Sequence, residues 1–313
     1  MGYRLFNKNK VANHYEAGEI HSICIVQPGH IGDLLLSLPM IEKLRKNFMG
    51  KISLAVSNYT YELAENLSIV DEILSLEHFR SIYLYNSKKK SLFKAIKAFK
   101  RINSDVIFEL RGDINLIIPL FLFSKYKHLI GFNVGGGGFL LDTTLEYPHH
   151  EHISETFYRF LDFLDIKKPA LKKLDCYLKK PLENKLNDEN YITLSIGAGA
   201  QSKEWEDEKF IKLINLILSD GMKVVIIGKI SKDRAELYNL LKHKNLINFL
   251  NKTSIVDALS IIKYSRAFVG LDSGMTHAAA MLGINTIALY SAVTEVNVWR
   301  PFNELSKPRP RAP

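Results

Sequence analysis

The stretch Ser22-Ile23-Cys24-Ile25-Val26-Gln27-Pro28-Gly29-His30-Ile31-Gly32-Asp33-Leu34-Leu35-Leu36-Ser37-Leu38-Pro39 passes from a short apolar run through a glycine-bearing turn into a leucine-rich segment. That succession predicts a strand over Ser22–Val26 and a helix over Leu34–Phe48. Outward from it the alternation continues, with strands expected at Ile52–Val56, Val106–Leu110 and His128–Gly131 and helices at Ser91–Ile102 and Ile114–Phe123. Residues 169–190 are rich in proline and lysine, have little periodicity, and read as a linker. A second series follows, with strands at Tyr191–Ile196, Lys223–Ile227, Ala267–Leu271 and Thr286–Tyr290. Its helices are expected at Asp207–Ser219, Lys232–Lys242, Val256–Tyr264 and Met275–Leu282. Strands alternating with helices build parallel sheets covered by helices, so the fold class is α/β. Two such series predict two Rossmann-like domains, residues 1–175 and 176–313, facing each other across a cleft. Ligands of these sheets bind beyond the carboxyl ends of the strands, so the loops that follow strands are where chemistry is sought.

A chain of 313 residues is too long for one ordinary core and suits two domains. Hydrophobic residues at 47% and charged residues at 24% are the proportions of a folded protein. The longest apolar run, Leu116–Phe123, is interrupted by Pro119, whereas a membrane span needs roughly 20 apolar residues. The opening MGYRLFNKNK has no apolar stretch after its basic residues, so no secretory signal is expected. The expected location is cytoplasmic, including a peripheral place at the inner face of the cytoplasmic membrane. Cys24 and Cys176 read as reduced thiols with no metal framework. The net charge of +9 favours an anionic partner. Lys90, Lys94, Lys97 and Arg101 recur at helical spacing opposite Leu92, Ile96, Phe99 and Asn103. This basic face suits solvent, an anionic membrane surface or acidic glycolipid, and, least well, nucleic acid.

Three loops could carry chemistry. Asp33 stands at a helix start, where it can cap an orphan amide or, as an ionised carboxylate, accept a proton from a sugar hydroxyl. Small residues at Gly29 and Gly32 let the backbone turn and approach a ligand. The second loop is Gly197-Ala198-Gly199-Ala200-Gln201-Ser202-Lys203-Glu204-Trp205. It is either a strand-to-helix turn or a diphosphate cradle, with amides freed by glycine and a mobile cation on Lys203. It lacks the spacing of a Walker loop or of GxGxxG, so ATP hydrolysis and nicotinamide binding gain no support. The third is Asp272-Ser273-Gly274-Met275-Thr276-His277, where Asp272 or Ser273 caps a helix whose first amides can face an anion, and His277 reads as packed. Gly135–Gly138 is a flexible turn or a point of close backbone approach to a ligand.

These segments, in this order, resemble glycosyltransferase family nine, the lipopolysaccharide heptosyltransferases. Gly32-Asp33 through Pro39 is similar to the family's Gly-Asp-x-x-x-x-x-Pro element. Gly197 through Lys203 to Trp205 matches its glycine-containing loop with a basic residue before tryptophan. Asp272-Ser273-Gly274-Met275-Thr276-His277 is similar to its Asp-[Ser/Thr]-Gly-x-x-His signature, and Ile130-Gly131-Phe132 and Trp299-Arg300-Pro301 also fit. The likeness covers about residues 20–302. It implies the GT-B architecture and inverting transfer of a heptose or related sugar from an ADP-linked donor to a lipopolysaccharide-core or other envelope glycan acceptor. It also implies Asp33 as catalytic base, and Gly197, Ser202, Lys203, Asp272, Ser273, Gly274, Met275 and His277 as the donor site. No Asp-x-Asp element lies beside these loops, so no cofactor is obligatory and Mg2+ enters only as a companion of the donor diphosphate. The partners implied are the nucleotide sugar and a glycolipid or glycan, with no nucleic acid.

Two positions depart from the family pattern. Gly228 is followed by Lys229 and Ile230 where members commonly carry an acidic residue, and a Pro- and Arg-rich end follows Trp299 where GT-B enzymes continue into a helix. For the acceptor the sequence offers Gly32 and Arg111, whose planar fork suits a carboxylate or phosphate, besides His149, His150 and His152. A sugar-nucleotide epimerase would need a further acid/base pair that the sequence does not display. A non-catalytic nucleotide-sugar-binding scaffold of envelope synthesis is the alternative of a different class.

Overall fold

A computed structural model describes residues 20–82, 89–167, 173–187 and 190–301. The N-terminal segment read for a signal, part of the linker, and the Pro- and Arg-rich end lie outside these residues. The chain divides into two compact units, Met1–Ala170 and Leu171–Pro313.

The first unit is a parallel sheet of β1 (Ser22–Gln27), β2 (Lys51–Val56), β3 (Glu72–Ser75), β4 (Val106–Glu109), β5 (His128–Phe132) and β6 (Thr143–Leu145), in the order β3-β2-β1-β4-β5-β6. Its helices are α1 (Ile31–Asn47), α2 (Asn58–Glu65), α3 (Lys89–Lys100), α4 (Ile114–Phe123) and α5 (Ile153–Asp162). β1 and β4 are apolar throughout their middles because helices cover both faces of the sheet. On one face Cys24, Val26, Ile107 and Leu129 meet Phe99, Leu116, Ile117 and Leu120. On the other, Phe160 of α5 packs its ring 5.1 Å from Phe108 and 5.0 Å from Phe132. The leucine-rich α1 packs against α5, and its Leu34, Leu35, Leu36, Leu38, Met40 and Ile41 are all buried, so no polar stripe is visible in it.

The second unit is a parallel sheet of β7 (Tyr191–Ser195), β8 (Lys223–Ile227), β9 (Leu246–Asn248), β10 (Ala267–Leu271) and β11 (Thr286–Leu289), in the order β11-β10-β7-β8-β9. It carries α6 (Asp207–Ser219), α7 (Lys232–Asn239), α8 (Ile255–Lys263), α9 (Gly274–Met281) and α10 (Val296–Trp299). Leu194, Ile196, Val224, Ile226 and Val269 pack against Phe210, Ile214 and Tyr238. Both sheets have the Rossmann-type order. The chain lays strands outward on one side of β1 and then returns to its other side at β4; β7 and β10 repeat this.

The expected elements form, most with ends shifted by one to three residues. α1 begins three residues earlier than expected, at Ile31, and α4 continues through Pro119. The sequence reading passed over β3, β6, β9, α2, α5 and the four-residue α10. Among the described residues no helix is long and apolar enough to cross a membrane.

Two features at the carboxyl edges are fold constraints. Gly228, after β8, has φ +138°, and a Cβ there would stand 1.9 Å from the carbonyl oxygen of Ile196. Glu109, the last residue of β4, is wholly buried and accepts the Arg111 amide at 3.0 Å and the Gly112 amide at 2.7 Å. Burial pushes its carboxyl up to about 7; the two amides and the Arg111 charge act in the opposite sense, and Asp113 adds to the rise.

Gly228→Ala is expected to destabilise the chain by roughly 2–4 kcal/mol in urea unfolding, because the backbone conformation and the clash act together. For Glu109 the folded state binds its proton more tightly than the unfolded state. Its contribution to stability is therefore full below the unfolded carboxyl value and is lost as pH rises through the folded one. Urea unfolding at about pH 5 and about pH 8 is expected to show a loss on the order of 3 kcal/mol that Glu109→Gln does not share.

Candidate functional site

In the first unit the loops that follow β1 and β4 bring Asp33 and Arg111 together at the reversal of strand order. The N-cap of α1 is His30, not Asp33. Asp33 is the third helical residue, and its Oδ2 reaches back to accept the His30 amide at 2.7 Å. It therefore satisfies an orphan helix amide without occupying the cap position. Gly32 lies inside this first turn and is buried, so the tight loop consists of Pro28 to His30. Arg111 Nη1 stands 3.7 Å from Asp33 Oδ2, with the arginine side chain 40% exposed and the carboxylate 16%. Gly29 makes the approach feasible: a Cβ there would come within 2.6 Å of Asp33 Oδ2 and 2.8 Å of Arg111 Nη1.

Glu109 sets where Arg111 begins. Its carboxylate holds the Arg111 and Gly112 amides, and Gly112 turns with φ +65° where a Cβ would meet the Phe132 carbonyl oxygen at 2.9 Å. The glycine run joins the same turn, since the Gly135 amide donates to the Gly112 carbonyl at 2.8 Å. Gly135–Gly138 is thus a turn packed on the Arg111 loop. Tyr147 stands near the pair, its phenol pushed up by burial and then by the Asp33 charge. His149 and His150 are exposed, whereas His152 is buried as the N-cap of α5 and accepts the Ser154 amide on Nδ1 at 3.2 Å.

In the second unit the loops after β7 and β10 repeat the arrangement with a cation. Lys203 Nζ lies 2.6 Å from Asp272 Oδ2, the lysine side chain 33% and the aspartate 5% exposed. Thr294 Oγ1, from the loop after β11, donates to the same oxygen at 2.7 Å. Tyr290, beside Asp272, has its phenol raised by burial and then by the Asp272 charge, and donates to the Trp299 carbonyl at 3.1 Å. The Lys203 loop is tied down by the residues after it. Arg234 of α7 bonds Asp207 at 2.8 and 2.7 Å and also Glu204, while Tyr238 donates to Asp207 at 2.7 Å. Arg234 accordingly holds the Asp207 carboxyl below its usual range. Trp205 stacks edge-on against Phe210 at 5.0 Å.

Neither residue named for capping α9 caps it through its side chain. Ser273 is the N-cap by position but makes no side-chain cap bond, and its Oγ is buried without a hydrogen-bond partner. Asp272 is committed to Lys203 and Thr294. Gly197, with φ +99°, passes the loop after β8, where a Cβ would meet Ile230 Cγ2 at 2.8 Å. Ser202 is exposed, Gly274 and Met275 are half-buried in the first turn of α9, and His277 is buried in it. Where the family pattern has an acidic residue after Gly228, Asn251 braces the loop instead, accepting the Ile230 amide and donating to its carbonyl, each at 3.0 Å. Among the described residues no group of three or more His, Cys, Asp or Glu side chains is placed to hold a metal ion.

Sequence reasoning found Asp33, Arg111, Lys203 and Asp272 and missed Glu109, Tyr147, Arg234 and Thr294. A carboxylate ending an otherwise apolar strand was a usable signal for Glu109.

Residues 93–307 match the model of glycosyltransferase family 9 (heptosyltransferase). Lipopolysaccharide heptosyltransferase 3 of Escherichia coli (strain K12) is 24% identical over 288 residues, covering 87% of this chain and 83% of that protein. Lipooligosaccharide heptosyltransferase 2 of Campylobacter jejuni subsp. jejuni serotype O:6 is 23% identical over 297 residues, covering 90% and 85%. Among solved structures, E. coli heptosyltransferase WaaC with ADP-2-deoxy-2-fluoro heptose superposes with a TM-score of 0.75 at 16% identity, over 90% of this chain and 91% of that one. At that identity the likeness speaks for the fold, which is GT-B. With more than half of its length matched by the family model, the chain belongs to glycosyltransferase family 9 and is a glycosyltransferase.

Proposed function

We propose that this chain moves a heptose or related sugar, with inversion, from an ADP-linked donor to a lipopolysaccharide-core or other envelope glycan. The observation that carries the reading is the placement of Lys203 beside Asp272 at the β7/β10 reversal, next to the start of α9. A leaving diphosphate develops negative charge there, and an ammonium group, the first amides of α9 and the Ser273 hydroxyl are the donors suited to it. The named relatives support a heptose donor, and the WaaC structure holds an ADP-linked fluoro heptose.

In the reaction an acceptor hydroxyl oxygen bonds to the anomeric carbon while the bond from that carbon to the diphosphate oxygen breaks. The electron pair leaves on ADP, and the hydroxyl proton goes to the Asp33 carboxylate. Asp33 precedes the residues matched by the family model, so its role rests on its place at the β1/β4 reversal and on the motif around it. Arg111 offers its fork to a carboxylate or phosphate on the acceptor. Lys203 and backbone amides neutralise the leaving group in this reading. Mg2+ accompanies the diphosphate without being required, and transfer is expected to persist in excess EDTA. The exposed Lys90, Lys94 and Lys97 of α3, with Phe93 69% exposed among them, support peripheral contact with an anionic membrane surface that presents the acceptor.

Asp33→Asn keeps an acceptor for the His30 amide and removes the base. It is expected to lower kcat by roughly 10²–10⁴-fold while ADP affinity stays unchanged in calorimetry. Among nucleotide sugars, an ADP-linked one is expected to raise the melting temperature most, and Lys203→Ala to abolish most of that rise. A larger response to UDP- or GDP-sugars would overturn the donor assignment.

A further inference from the structure

A Lys203 that swings toward an incoming diphosphate loosens its hold on Asp272, and that exchange has a physical obstacle. The Asp272 side chain is 5% exposed. A desolvated carboxylate that loses its partner costs far more than an exposed one. Were Lys203 its sole partner, any anion that drew the ammonium group away would strand the charge, and the ion pair would compete with the donor.

Thr294 removes this obstacle. Its Oγ1 donates to Asp272 Oδ2 at 2.7 Å, the same oxygen that Lys203 contacts at 2.6 Å. The threonine is presented by the loop between β11 and α10, and β11 lies beside β10, with Leu271 paired to Leu289 and the Asp272 amide donating to the Leu289 carbonyl at 3.1 Å. The hydroxyl therefore comes from a loop separate from the one that carries Lys203. Lys203 sits on a different loop, after β7, with a side chain 33% exposed and able to reorient.

We infer that Thr294 is a positioning residue for donor capture: it keeps Asp272 hydrogen-bonded so that Lys203 can pass from Asp272 to the diphosphate. The inference rests on the donor reading of Lys203. Without the hydroxyl, Asp272 grips Lys203 as its one strong donor, and the cost of release falls on the affinity for the donor.

The test is a double-mutant cycle read by calorimetry with ADP as the probe. Thr294→Val is expected to weaken ADP binding about tenfold, as loss of a hydrogen bond to a charged group would. Thr294→Ser is expected to restore it, and Thr294→Ala to agree with Thr294→Val. In the Lys203→Ala background the valine change is expected to add less than about twofold, because the two effects share one route. In turnover the donor KM rises while kcat at saturating donor stays within about threefold. Parental ADP affinity in Thr294→Val overturns the inference, as does a full tenfold loss that persists without Lys203. Lys203→Ala binding ADP like the parent overturns the donor reading itself, an outcome visible in that single variant.

Discussion

Parallel strands that run side by side but lead their following segments in opposite directions leave a gap at their carboxyl ends, and both units place their charged groups at such a gap. In the first unit the gap lies between β1 and β4, in the second between β7 and β10. Asp33 and Arg111 come from the two loops bordering the first; Lys203 and Asp272 come from the two bordering the second. Neither pair is close in sequence. Each is brought together by a hydrogen-bonded neighbour relation in the sheet, so the reversal in strand order is the constraint on which the site geometry depends.

A gap lined with charge requires that the charges be held. Every carboxylate discussed does structural as well as electrostatic work. Asp33 takes an orphan helix amide, Glu109 takes two turn amides, and Asp272 takes a threonine hydroxyl besides its lysine. Glu109 is the most expensive of these, since burial raises its carboxyl to about 7 despite both amides. It fixes the backbone on which Arg111 stands. On the other side Glu204 and Asp207 anchor the Lys203 loop to Arg234, so the lysine backbone is restrained while its side chain stays partly exposed.

The parts of the fold visible in the sequence were those with long or wholly apolar signals. β1, β4, β7, β8 and β10 read as apolar runs and α1, α3 and α6 as long segments, because parallel strands covered on both faces need apolar residues throughout. β3, β6 and β9 have three or four residues, mostly half-buried, which is too short for a period to stand out. α5 was missed although its apolar residues lie on one face, because the short β6 that immediately precedes it was not read either. At the site, residue types that follow strands were legible: Asp33, Lys203 and Asp272 all stand shortly after apolar runs. Their partners were not. Thr294 and Arg234 are ordinary residues in sequence, and only the sheet order puts one against Asp272 and the other against Glu204 and Asp207. Ser273 does hold the N-cap position of α9, without a side-chain cap bond, and Asp272 is held by tertiary partners that the sequence does not show.

The two units use one structural unit, a strand end passing into a helix start, in opposite electrostatic senses. At α1 the helix start meets a carboxylate from its own first turn, so its amides are partly satisfied within the chain. At α9 the corresponding residues are Ser273 and Gly274, the serine makes no cap bond, and its hydroxyl is buried with no partner. An unsatisfied buried hydroxyl costs roughly 1–3 kcal/mol. On the proposed reading, a donor diphosphate at this helix start takes up the Ser273 hydroxyl together with Lys203 and the first amides of α9. The first unit instead places the Asp33 carboxylate beside Arg111 and a loop whose close approach requires Gly29. In the proposed reaction the second unit takes the anion and the first takes the proton, the two halves of the chemistry that sugar transfer from a diphosphate donor requires.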